Sequence, residues 1–144
     1  MTVFLHEIEG RPASPFYKPV SVADGGRLIH LAGQVGTDED GKVVPGGLAA
    51  QAERAMLNVG LALEAAGASE ADLAKLTIYV VDWDGSKLQE MGAGLYASAE
   101  KRPRQPVPIT LIGVSALFEP EMLIEVEAVA VADQMIDSTT PAPG

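Results

Sequence analysis

The chain has 144 residues, with ten basic and twenty acidic side chains and a formal net charge of −10. This length fits one domain with a sizeable hydrophobic core. The absence of cysteine excludes disulfides, thiolate metal sites and cysteine nucleophiles. The acidic balance also argues against nucleic acid as a partner, because Lys101, Arg102 and Arg104 form the only basic cluster.

The sequence carries no sign of membrane or metal binding. It lacks a run of roughly 18 apolar residues that could span a membrane, and the N-terminus lacks the basic and apolar regions of a signal peptide. We therefore expect a cytoplasmic protein with no membrane partner. His6 and His30 are far apart and share no metal-ligand spacing, so no metal site is expected.

The N-terminal part is predicted to form β-structure with two turns. Two β-prone runs, Val20–Ala23 and residues 27–32, flank an Asp24-Gly25-Gly26 turn signal and predict a hairpin. Residues 37–41 are rich in acidic residues and end in glycine. This composition predicts a second turn, because the spacing does not match that of a calcium-binding loop.

The remainder of the chain predicts a helix, a strand, a second helix and two strands. Apolar residues recur at intervals of three and four in both helices, and Gly67 is placed to end the first. Asp84 or Ser86 is placed to cap the second. Pro106 and Pro108 restrict the strand that contains them to a sheet edge or to its own first residues. The predicted helices are residues 48–66 and 86–99, and the predicted strands are residues 76–81, 107–114 and 122–132.

This order predicts an α+β fold in which both helices pack on one face of a sheet. Residues 1–132 form the single predicted domain, and the Ser-, Thr- and Pro-containing tail, residues 133–144, is predicted to be disordered. The second face of the sheet would then need cover, for which a partner subunit is the obvious source.

Three ordered stretches carry a resemblance to a known family. No single stretch identifies the family, but the order and spacing of all three over residues 27–132 do. On these residues the chain resembles the RidA (YjgF) family. The stretches are LAGQVG (31–36) with DGKVV (40–44); QAE (51–53) through Asn58, with AAGAS (65–69), DL (72–73) and KLT (75–77); and GVSAL (113–117) with IEVEAV (124–129).

The resemblance implies a chorismate-mutase-like α+β fold, assembled as a homotrimer whose sheets form a central barrel. It also implies small-molecule clefts between adjacent subunits. Typical members of the family hydrolyse 2-imino acids and their enamine tautomers without a cofactor, releasing ammonia. In those members an arginine binds the substrate carboxylate, and a glutamate on the last strand orients the attacking water.

One departure from the family pattern bears on function. Alignment on residues 113–117 places Ile109 at the position of the family arginine, whereas the family glutamate is retained as Glu125. Isoleucine offers neither charge nor donors to a carboxylate. Arg104 could take that role if the connection to the last strand carries a five-residue insertion; otherwise it is a solvated loop residue. Alternation alone favours a solvent-facing position for Glu125 on the sheet, because it shares a strand face with Glu127.

Three further residues are candidates for ligand binding. Tyr17 lies near the family's aromatic cleft position. Gly33 and Gln34 follow the predicted hairpin, where the backbone could approach a ligand closely.

Three functions therefore stay open. One is a divergent binder or hydrolase of a small metabolite, with an apolar cleft at Ile109 and water oriented by Glu125. Another is a 2-imino acid deaminase that uses Arg104. The third is a non-catalytic ligand-sensing or chaperone-like trimer. A ribonuclease activity, which is also attached to the family, finds little support in an acidic chain without a plausible histidine pair.

Overall fold

The computed structural model describes residues 2–134 and contains six strands and two helices within them. The predicted disordered tail, residues 133–144, lies outside the described residues except for its first two positions. Single turns of 3₁₀ helix, Glu70–Asp72 and Gly85–Lys87, come before the fourth strand and the second helix. The elements in chain order are β1 (Val3–His6), β2 (Val20–Ala23), β3 (Arg27–Val35), α1 (Gly47–Ala65), β4 (Leu73–Val81), α2 (Leu88–Lys101), β5 (Ile109–Val114) and β6 (Ile124–Ala132).

Four strands form the main sheet in the order β3-β6-β4-β5. The β4–β5 pair is parallel, and β6 runs antiparallel to both β3 and β4. Alternate residues of β4 and β6 face the helices and are buried with the apolar sides of α1 and α2, as Leu76, Ile78 and Val126 are. The predicted α+β fold, with both helices packed on one face of the sheet, is confirmed. β5 lies at the edge of the sheet and begins only after Pro106 and Pro108, which agrees with the restriction predicted from these prolines.

The predicted hairpin between residues 20–23 and 27–32 is wrong. β2 pairs instead with β1, in register Val3↔Ala23, and β3 pairs with β6. The chain does turn at Gly25 and Gly26, both of which have positive φ, but it passes there from one sheet to the other. The turn signal is local, whereas the partner of β3 is set by the long apolar strand β6, which buries more surface than a two-stranded hairpin.

The first helix follows its prediction within one residue at each end. Gly67 adopts φ 72°, which a residue with a side chain rarely takes. Its N–H donates to the Glu64 carbonyl and the Ala68 N–H donates to the Leu63 carbonyl, both at 2.9 Å. These bonds satisfy the last carbonyls of α1 and end it where the glycine predicted.

The second helix begins after one 3₁₀ turn and contains two glycines in different surroundings. A side chain at Gly94 would collide with the carbonyl oxygen of Ala49 in α1, so glycine permits the close contact of the two helices. A Cβ at Gly92 would meet no atom within 4 Å. Glycine inside a helix costs about 1 kcal/mol relative to alanine, and this cost has a packing reason at Gly94 and none at Gly92.

Asp84 caps the 3₁₀ turn that leads into α2, and we expect its contribution to the stability of the protein to depend on pH. Its carboxylate accepts hydrogen bonds from the Ser86 hydroxyl and from the Ser86 N–H, the latter at 2.8 Å. The hydroxyl contributes most to holding the pKa of Asp84 below its usual value. Because the folded pKa is depressed, this stabilisation is present above the unfolded pKa of about 4 and is lost as pH falls through the folded pKa.

Asp84→Ala is accordingly expected to lower the melting temperature by a few degrees at neutral pH, with a difference that shrinks in acid. Asp84→Asn is the matched control, because asparagine keeps the cap acceptor but does not titrate. Thermal denaturation between pH 3 and 7 checks both variants. A pH-independent loss in Asp84→Ala would contradict the role of the charge.

Candidate functional site

An apolar cavity of about 710 Å³ lies between α2 and the edge of the main sheet. We call it the α2 cavity. Its walls are side chains of α2, β4 and β5, together with two loop segments, residues 15–17 and 104–107. Its apolar lining includes Leu76, Ile78, Leu88, Met91, Leu95, Val107, Ile109 and Leu111, and its polar lining consists of Tyr17, Gln89, Tyr96, Arg104 and Gln105.

Arg104 is the charged residue on the wall of this cavity. The chain leaves α2 at Lys101 and turns back, so the guanidinium lies against the C-terminal half of the helix. Its Nη1 donates to the Ser98 hydroxyl and its Nη2 to the Leu95 carbonyl, both at 3.1 Å. Both acceptors are neutral. Arg104 therefore lies half-buried in a cavity wall rather than in open solvent.

The charge of Arg104 lacks a carboxylate partner within residues 2–134. The ion pairs of that range join Lys18 to Glu7, Lys101 to Glu53 and Arg102 to two glutamates. Burial lowers the pKa of the Arg104 guanidinium, and the more distant charge of Glu70 opposes this effect. An anion in the cavity would offset the cost of burying this cation.

Three of the residues singled out in the sequence line the same cavity. Arg104, Ile109 and Tyr17 all contribute to its wall. Ile109 begins β5 and pairs with Leu76 of β4, so its side chain points to the helix side of the sheet, whereas Tyr17 comes from the loop between β1 and β2. Ile109 contributes only apolar surface to the cavity wall, because its side chain has no charge and no hydrogen-bonding group.

Glu125 and Gly33 lie on the other face of the sheet. Glu125 pairs with Tyr79 of β4 and with Val35 of β3, and both register positions alternate with those that face the helices. A Cβ at Gly33 would lie 2.5 Å from Oε1 of Glu125, so the glycine makes room for this carboxylate. Within one chain, Glu125 and the α2 cavity are separated by the sheet.

Gln34 stabilises an irregularity in β3 rather than facing the cavity. The register of β3 against β6 shifts between Leu31 and Gln34, and the side-chain amide of Gln34 donates to the Ala32 carbonyl at 3.0 Å. Such bulges redirect the neighbouring backbone. Here the irregularity brings Gly33 against Glu125.

Tyr79 is a polar neighbour of this face that the sequence did not single out. Its hydroxyl donates to Oε1 of Glu127 at 3.1 Å, and this bond is the main reason why the pKa of Tyr79 is raised. Alternation along β4 and β6 could have placed Tyr79 beside the two glutamates, but only with the strand order known.

The described residues offer no cluster of three or more His, Asp or Glu side chains able to hold a metal ion. None of the helices between residues 2 and 134 is both long and apolar enough to cross a membrane.

Comparison with known proteins gives consistent matches. The sequence model of the family described as endoribonuclease L-PSP matches residues 9–132. A RutC family protein of Pyrococcus abyssi is 33% identical over 130 residues, which cover 89% of this chain and 94% of that protein. The 2-iminobutanoate/2-iminopropanoate deaminase of Bos taurus is 40% identical over 57 residues, which cover 39% of this chain and 42% of that enzyme.

Solved structures agree in fold. The Rid family protein YyfB of Yersinia pestis, a protein of unknown function, superposes with a TM-score of 0.81 at 32% identity, covering 92% of this chain and 100% of that one. The YjgF protein of E. coli superposes with a TM-score of 0.65 at 28% identity, covering 89% and 98% of the two chains.

Proposed function

Since the chain belongs to the RidA (YjgF) family, we propose that it hydrolyses a 2-imino acid at its carbon–nitrogen double bond, and the enamine tautomer once it has converted to the imine. In this proposal Arg104 binds the substrate carboxylate, and Glu125 of a neighbouring subunit orients the attacking water. The observation that carries the proposal is a half-buried guanidinium on the wall of an apolar cavity, bound to two neutral acceptors and to no carboxylate of residues 2–134.

The donor arrangement of Arg104 suits a carboxylate. A guanidinium has five N–H groups in a planar fork, and two of its nitrogens already donate to Leu95 and Ser98. These bonds fix its orientation and leave further N–H groups for a bidentate contact with two carboxylate oxygens. Because the surrounding wall is apolar, such a contact would be stronger than the same pair in water.

The proposal accounts for isoleucine at the family's arginine position. Ile109 and Arg104 line the same cavity although they are five residues apart in the chain. The cation would then reach the cavity from the loop after α2 instead of from β5. This is the alternative from the sequence in which Arg104 takes the role of the family arginine, and the place of Arg104 in the cavity wall favours it over a cleft with no cation.

Glu125 can complete this site only from another subunit, because in its own chain it lies on the opposite face of the sheet. That face carries exposed apolar side chains, with Leu28 64% and Ile112 40% exposed, which supports burial against other copies of the chain. We therefore include the homotrimer in the proposal, with ligand clefts between subunits.

The proposed chemistry needs no cofactor. Glu125 would hold a water molecule and accept its proton as the oxygen bonds to the imine carbon and the C=N π electrons move to nitrogen. Return of that proton to nitrogen and collapse of the carbinolamine would release ammonia and leave a 2-oxo acid. Arg104 would hold the carboxylate in place throughout these steps.

The test is the hydrolysis of freshly generated 2-iminopropanoate, followed with and without the protein. Arg104→Gln is expected to lower kcat/KM about 10- to 100-fold, because hydrogen bonds to a charged group contribute about 1.5–3 kcal/mol. Arg11→Gln is the matched control, since Arg11 is exposed and outside the cavity lining. Glu125→Gln is expected to lower kcat. Unchanged kinetics in Arg104→Gln would overturn the role of Arg104, and a monomer in light scattering would overturn that of Glu125.

A second candidate is a ligand-binding trimer without catalysis. The observation that favours it is that no carboxylate or imidazole of residues 2–134 lines the α2 cavity. Carboxylate binding that depends on Arg104, with no acceleration of imine hydrolysis, would support this candidate over the enzyme.

A further inference from the structure

The lining of the α2 cavity extends along most of α2, with its charged residue near one end of that stretch. The α2 residues in its lining run from Leu88 to Ala99, which lie eleven positions and therefore about 16 Å apart along the helix axis. Arg104 is bound to Leu95 and Ser98, so the guanidinium lies near the C-terminal end of that path. From there toward Leu88 the wall is mostly apolar.

We infer that this cavity takes a carboxylate bearing a long aliphatic or arylalkyl substituent, with the carboxylate at Arg104 and the apolar tail directed toward Leu88. The inference rests on the proposed function for the position of the carboxylate. A volume of about 710 Å³ lies within the range of pockets that enclose drug-sized ligands. A three- or four-carbon acid held at Arg104 would leave most of the apolar wall in contact with water.

The apolar wall gives the inference a measurable consequence. Burial of one methylene group is worth about 0.8 kcal/mol, which corresponds to about fourfold in affinity. An apolar tail that extends along the α2 cavity should therefore bind progressively more tightly with each added carbon. A site shaped for a small acid would show no gain beyond the first few carbons.

A larger side chain at Gly92 can block the α2 cavity. It lines the cavity, its own Cβ would meet no atom within 4 Å, and it lies inside a helix where a larger residue is acceptable. Helical side chains lean toward the N-terminus. A leucine at this position would therefore fill the part of the α2 cavity near Leu88 and leave the part near Arg104 open.

Isothermal titration of the full chain with butanoate, hexanoate and decanoate tests the inference. Decanoate is expected to bind at least about 30-fold more tightly than butanoate, well below the gain for six fully buried methylenes. Gly92→Leu should remove this preference by weakening decanoate much more than butanoate, and Gly92→Ala should largely retain it. Arg104→Gln should weaken all three ligands.

The possible failures are distinguishable. Equal affinities for butanoate and decanoate, or a decanoate preference that survives Gly92→Leu, would overturn the inference even if 2-iminopropanoate is hydrolysed. Decanoate binding that depends on Gly92 but not on Arg104 would instead overturn the carboxylate position on which the proposed function rests.

Discussion

Gly94→Ala is expected to destabilise the protein by about 2–3 kcal/mol, near the upper end of the usual cost of overpacking a tight contact. The added Cβ would overlap the carbonyl oxygen of Ala49 and lie 2.9 Å from the Cβ of Ala52, both in α1. A backbone carbonyl cannot rotate away as a flexible side chain can. The two helices would therefore have to separate, which would disturb the core shared with the sheet.

Gly92→Ala, two residues earlier in the same helix, is the matched control. Its Cβ would meet no atom within 4 Å, and alanine is favoured over glycine in a helix by about 1 kcal/mol. The same chemical change should therefore stabilise at position 92 and destabilise at position 94. Urea denaturation of both variants checks the sign, and equal effects would contradict the close helix contact.

Arg102→Met is expected to destabilise the protein by about 3–5 kcal/mol, the cost of leaving one member of a buried ion pair unpaired. Nε of Arg102 lies 2.5 Å from Oε1 of Glu70, a residue that is only 8% exposed. The guanidinium also pairs with Glu64 at 2.7 Å and donates to the Gly60 carbonyl at 3.3 Å. One side chain thus connects α1, the turn before β4 and the end of α2.

Two further variants test whether the loss of stability in Arg102→Met is electrostatic in origin. Lys101→Met removes the neighbouring pair with Glu53, in which the lysine is 61% exposed, and should cost no more than about 1 kcal/mol. The double variant Arg102→Met/Glu70→Met should recover part of the loss, because no buried charge remains unpaired. Chemical denaturation measures the free energy of unfolding of each of these variants. A double variant less stable than Arg102→Met alone would contradict the electrostatic origin.

The sequence predicted well those elements whose burial is periodic. α1, α2 and β6 lie within about two residues of their predicted bounds, because their apolar spacing reflects a single buried face. β4 begins at Leu73 rather than at residue 76. There the strand includes Ala74 and Lys75, which have low β propensity, and tertiary pairing with β6 outweighs that preference.

The site was less accessible to sequence reasoning than the fold. Its residues could be named, but the face on which each lies depends on strand order, which links Glu125 to Tyr79 and separates it from Ile109. The α2 cavity is built from segments distant along the chain. Whether Arg104 lies in that wall or in open solvent was undecidable from local pattern, because a short polar loop is compatible with both.

The strand order also governs how the protein can be made. β6 is synthesised after β3 and β4, yet it lies between them and pairs with both. Until Ala132 has left the ribosome, the nascent chain holds β3 and β4 without the strand that joins them, and its apolar helix faces lack half of their sheet. Folding of the main sheet must therefore follow the synthesis of β6 rather than accompany that of β3 and β4, and chains that still lack β6 expose the apolar surface on which chaperones act.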